Sequence, residues 1–190
     1  MASGPRAVAY YNPADDRGSM LTGAGSFGEP LNVIISGNSS PDVLTGDGIV
    51  HYARAIGFAN LGDGNGWVNQ TYELREDYDD SNVGTCLESA IGGNHFRVFR
   101  QNGTDAYSGA LFLAVSQEEP STERHTISPD GYDIGWDTLV SWPLGTTSYN
   151  GMTYSTTAEN ATGLLQPGTE GINHDIAIDG IVTVLTIKIV

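Results

Sequence analysis

Gly92-Gly93-Asn94-His95-Phe96-Arg97-Val98-Phe99-Arg100, followed after a turn by Ala110-Leu111-Phe112-Leu113-Ala114-Val115, decides the fold class. The first run alternates. In an extended chain Phe96 and Val98 fall on one side, and His95, Arg97 and Phe99 on the other. Asn102-Gly103 between the runs is a turn signal. The second run is apolar at every position, as in a strand covered on both faces. The reading is two neighbouring antiparallel strands, over 95–100 and 109–116, near the centre of a sheet.

Working outward, His125-Thr126-Ile127-Ser128-Pro129-Asp130-Gly131 holds a Pro-Asp-Gly turn, and a helix is expected from Asp133 through Ile134, Trp136, Leu139 and Val140 until Pro143. Upstream, Leu31-Asn32-Val33-Ile34-Ile35-Ser36 reads as a short strand. Ile49, Ala53 and Ile56 share a helical face within 47–58, with His51 solvated on another. The glycine-rich 61–66 reads as a turn rather than a calcium loop, because the closing acidic ligand is missing at its spacing. A strand is expected over 67–74, then an exposed acidic patch over 75–80. The tail reads as a hairpin around Asn150-Gly151 and a long apolar strand over 181–190 that must be covered. Residues 1–30 form an irregular arm, broken by Pro5, Pro13 and Pro30, which Tyr10 and Tyr11 would dock. The expectation is a single α+β domain over 31–190. Its sheet is mixed or mainly antiparallel, of about five to seven strands, with two helices and long Gly-rich loops.

Composition narrows the function. The 190 residues include 23 acidic and 8 basic side chains, for a net charge of -15. Hydrophobic content is 39% and mean hydropathy is -0.20, values of a soluble globular chain. So acidic a surface repels phosphate backbones and anionic lipid, which argues against nucleic-acid partners. No apolar run reaches the length of a membrane span. Cys86 is the only cysteine, so no intrachain disulfide or thiolate metal cluster can form, and it reads as a small buried apolar residue. The first thirty residues lack an apolar leader, which favours a cytoplasmic address. Sequons at Asn38, Asn69, Asn102 and Asn160 point instead to a secreted glycoprotein.

Two site chemistries fit the central stretch. His95, His125, Asp130, Asp133 and Asp137 are ligand types for a divalent metal, although their spacing matches no compact metal motif. Alternatively, a histidine oriented by an aspartate performs acid–base catalysis, with Arg97 gripping an anionic group of the substrate. Both lead to a small-molecule hydrolase, metal-assisted in the first case. Its catalytic residues would be His95, His125, Asp130 and Asp137, and its substrate-binding residues Arg97, Tyr132, Asp133 and Trp136. The competing class is a non-catalytic protein. It would bind glycans on Trp67, Tyr72, Tyr132 and Trp136, or self-associate into a homo-oligomer through the N-terminal arm or the last strand. No nucleophile elbow, phosphate-binding loop or dinucleotide fingerprint is present.

The segments 31–37, 55–58, 94–100 and 109–116, then His125, Asp130-Gly131-Tyr132-Asp133 and Asp137, occur in an order that resembles the LssY C-terminal-like domain family, in its stand-alone fungal branch. The likeness spans about residues 31–140 and extends into the tail beyond Thr146. It implies site positions at His95, Arg97, His125, Asp133 and Asp137. Trp136 stands where the family pattern has an arginine, so any anion-binding role of that arginine is missing or has moved. Bacterial members attached to membrane phosphatase-like modules imply phosphate or lipid chemistry by association only.

Overall fold

Eight strands hydrogen-bond into one sheet, in the order β2-β3-β4-β5-β1-β8-β7-β6. They are β1 (Val33–Ile35), β2 (Phe58–Asn60), β3 (Tyr72–Glu76), β4 (Gly93–Gly103), β5 (Ala106–Glu118), β6 (Gly145–Tyr149), β7 (Met152–Ala161) and β8 (Val182–Ile189). The structure is a computed structural model describing residues 8–15, 21, 27–60, 71–80 and 82–190. The expected turn at 61–66, the start of the strand expected at 67 with Trp67, and most of the arm over 1–30 lie outside the described residues. Every neighbouring pair is antiparallel except β1 with β8. The fold is a single mixed α+β domain, with three helices among the described residues: α1 (Gly46–Ala55), α2 (Gly84–Ile91) and α3 (Gly131–Ser141).

β4 and β5 pair as expected, with Phe96 opposite Val115 and Val98 opposite Leu113. Leu74, Phe96, Val98, Leu113, Val115, Leu185 and Ile187 point to one face of the sheet, against Ile49, Tyr52 and Ala53 of α1 and Leu139 of α3. Thr45 caps α1 by accepting from the Gly48 amide at 2.9 Å. Gly135 lets α3 sit on β5, because a Cβ there would lie 2.7 Å from the Ser116 backbone. On the opposite face Ile34, Phe112, Ala114 and Val182 meet Tyr132 of α3 and Leu165, Ile172 and Ile178 from the connection before β8. Tyr10 packs edge-on to Phe112, and the Tyr11 amide donates to Gln101. The last strand is interior, flanked by β1 and β7, so its apolar residues are covered as expected.

Three expectations need correction. α2 was missed: the sequence reading gave no helix there and buried Cys86, whereas Cys86 is exposed on this helix. The 75–80 stretch is not an exposed patch. Arg75 lies in β3, and Asp77 is buried and bonded to Arg54 at 2.9 Å. His51 is not simply solvated, since its Nδ1 meets the Tyr154 hydroxyl at 2.8 Å.

α2 is inside-out. Gly84 and Glu88 are its buried residues, while Val83, Leu87 and Ile91, each four apart, are 47%, 41% and 59% exposed. The Asp80 carboxylate starts this helix by accepting the amides of Asn82 and Val83. Gly92, at φ 84°, ends it.

Candidate metal centre

Strand register gathers a set of charges on one face of β3–β4–β5. Glu73 lies opposite Arg97 and Arg75 opposite His95. Across the next pair, Arg97 faces Ala114, His95 faces Ser116 and Gly93 faces Glu118. Side chains alternate along each strand, so Glu73, Arg75, His95, Arg97, Ser116 and Glu118 share one face, opposite Leu74, Phe96 and Val98. Glu88 enters from α2, fully buried. Gly93 makes room for it, because a Cβ at Gly93 would lie 2.9 Å from the Glu88 Cγ.

Arg75 is the hub. Its Nη1 donates to Glu88 Oε2 and to Glu118 Oε2, both at 2.7 Å, and its Nη2 donates to Glu73 Oε1 at 3.1 Å. Arg97 extends the network, donating to Glu73 Oε2 at 2.9 Å and to Glu29 Oε2 at 3.1 Å. Among the described residues, four buried carboxylates thus share two guanidiniums. Were all four ionised, these six side chains would carry two negative charges in excess, which a low-dielectric interior resists. Burial accordingly pushes the Glu88 carboxyl up to about 7, against the opposing pull of Arg75. Burial also raises Glu29, with Arg97 again opposing. Burial lowers the Arg75 guanidinium's affinity for its proton, but Glu118 and Glu88 more than offset this and hold it charged.

His95 is the neutral member. It is 1% exposed, and burial, then the charges of Arg97 and Arg75, hold its imidazole well below the usual histidine range. Its Nδ1 makes only long contacts, 3.4 Å to Ser116 Oγ and 3.5 Å to Glu118 Oε1. Its Nε2 is buried with no hydrogen-bond partner, and so is Glu88 Oε1. Buried polar atoms are rarely left unpaired. Glu88, His95 and Glu118 each offer a ligand atom, and these atoms lie within 4.8 Å of one another. One imidazole and two carboxylates is a donor set that zinc and manganese accept.

The residues singled out from sequence divide. His95 and Arg97 lie in this network. His125 follows a 3-10 turn (Ser121–Glu123) and brings Nδ1 to 3.7 Å from Glu118 Oε2. Asp130, at the N-terminal end of α3, and Asp137, on it, are exposed and lie outside the network among the described residues, and Asp133 instead accepts the Asp179 amide at 3.3 Å. Burial, partly countered by that bond, raises the Asp133 carboxyl. Tyr132 is fully buried, its hydroxyl donating to Asn173, and Trp136 donates to Thr183 Oγ1 at 3.1 Å. Glu29, Glu73, Arg75, Glu88 and Glu118 escaped the sequence reading. The one usable signal was the alternation of Tyr72-Glu73-Leu74-Arg75-Glu76, whose polar side reads as solvent-facing until something is known to cover it.

Compared with known proteins, the chain matches no family model, no curated protein and no solved structure. Among the described residues no helix is long and apolar enough to cross a membrane.

Proposed function

We propose that this protein binds a divalent cation at Glu88, His95 and Glu118 and uses it as a small-molecule, metal-assisted hydrolase. The observation that carries the reading is the buried, unpartnered pair of donors, Glu88 Oε1 and His95 Nε2, beside a network with more carboxylate than guanidinium. A dication held by these three side chains would offset the excess negative charge and give the under-bonded imidazole and carboxylate a partner. Bound there, a metal would polarise a substrate oxygen and acidify a water molecule. Arg75 would fix the two carboxylates from behind, as outer partners of metal ligands do. Arg97, held between Glu29 and Glu73, supports the network from the second strand rather than standing ready for an anionic substrate.

The likeness to the LssY C-terminal-like domain family belongs to this reading, and of its matched positions His95 and Arg97 lie in the network and His125 lies beside it. The second reading, a self-associating protein, is favoured by the apolar outer stripe of α2 at Val83, Leu87 and Ile91.

Isothermal titration of apo protein with Zn2+ and Mn2+ tests the first reading. The expected result is one ion per chain in the wild type, with binding lost in Glu88→Gln and His95→Gln. Folded wild-type protein that takes up neither ion would overturn it.

A further inference from the structure

We infer that His125, on the turn between β5 and α3, is an exchangeable, solvent-side ligand of the same ion, so that its side chain opens and closes the site. This rests on the metal reading above and specifies how that site meets solvent. Glu88, His95 and Glu118 have side chains 0%, 1% and 7% exposed, so an ion held by them alone lies beneath the surface. His125 is the histidine that spans the boundary. Its side chain is 37% exposed, yet its Nδ1 is buried without a hydrogen-bond partner and stands 3.7 Å from Glu118 Oε2.

The backbone aims the ring inward. Arg124 and His125 are consecutive non-glycine residues in the left-handed region, at φ 63° and 53°. Such conformations persist where surrounding structure imposes them, and ligand clamps are one such setting. The segment is anchored on both sides of His125: before it Arg124 donates its amide to the Ser121 carbonyl, and after it the Thr126 carbonyl accepts from the Glu119 amide while Ile127 bridges to Glu118. The ring therefore needs only a side-chain movement to approach the ion.

The outer surface is suited to cation arrival. A surface groove reaches Thr126, the residue after His125, and among the described residues its lining includes the carboxylates of Glu119 and Glu123 and no lysine or arginine. Converging carboxylates attract a cation and disfavour an anionic ligand. With His125 bound, the coordination sphere holds two imidazoles and two carboxylates. Its release frees one position for water or for a neutral or cationic substrate, the vacancy that catalytic zinc requires.

X-ray absorption spectroscopy of the full chain loaded with one equivalent of Zn2+ tests this by counting imidazoles. Two in the wild type, one in His125→Asn and two in His174→Asn are expected. One imidazole in a wild type that does bind zinc would overturn the role of His125 while leaving the three-residue site intact. Absence of zinc binding in folded protein would overturn both. An unchanged count in His125→Asn would assign the second imidazole elsewhere and overturn the inference.

Discussion

The two faces of β3–β4–β5 are made by the same three strands and have opposite chemistry. On one, Leu74, Phe96, Val98, Leu113 and Val115 interlock with α1 and α3. On the other, Glu73, Arg75, Arg97 and Glu118 are mostly buried and held by charge-assisted bonds around a neutral His95. The apolar face is stabilised by removal of area from water and by packing. The charged face gains from pairing but loses heavily to desolvation. Replacing a whole buried ion pair or triad with hydrophobic residues of similar volume is often neutral or stabilising, whereas removing one partner alone is costly. Stability is therefore a poor explanation for the charged face, and a ligand that needs those donors is a better one.

Breaking one member on each face should separate the two. Arg75→Met removes the hub and leaves Glu73, Glu88 and Glu118 without it; we expect a loss of about 3–5 kcal/mol near neutral pH. That loss should shrink in acid, where the carboxylates can protonate. Phe96→Ala should cost about 3–4 kcal/mol through the cavity it leaves, and that loss should not depend on pH. Urea denaturation of both variants at several pH values makes the comparison. Equal pH dependence would mean that the two faces do not differ as described.

A smaller effect sharpens the point. The folded-state value of Glu88, about 7, lies above its ordinary 4.5. Between these values the folded state holds a proton that the unfolded state has lost, so stability falls as pH rises. Relative to Glu88→Gln, wild-type stability should be greatest below about pH 4.5, decline toward pH 7 and level off above it. The whole change is about 3 kcal/mol at most. His95 acts in the other direction: its depressed value makes its contribution present above about 6.5 and lost as pH falls. A difference that does not vary with pH would mean that Glu88 is not held protonated.

The sheet was legible in the sequence because apolar alternation states which side of a strand is buried. Phe96, Val98 and the 110–115 run placed β4 and β5 correctly. The site was only half legible, for the same reason. Glu73, Arg75 and Glu118 follow the pattern of exposed charges, and nothing local says that α2 and other segments will cover them. Glu88 sits in a short helix whose apolar residues, Val83, Leu87 and Ile91, face outward, so a rule that buries the apolar side turns it the wrong way. Histidine identity drew attention to His95 and His125. The aspartates expected beside them lie on α3, and glutamates from β5 and α2 take their place near His95.

The most direct measurement is anomalous diffraction at the zinc edge from crystals grown with Zn2+. The account predicts one strong peak within coordination distance of Glu88, His95 and Glu118, with Arg75 still bridging the two carboxylates. Zinc found only at surface carboxylates, with these three side chains as they stand without metal, would contradict it.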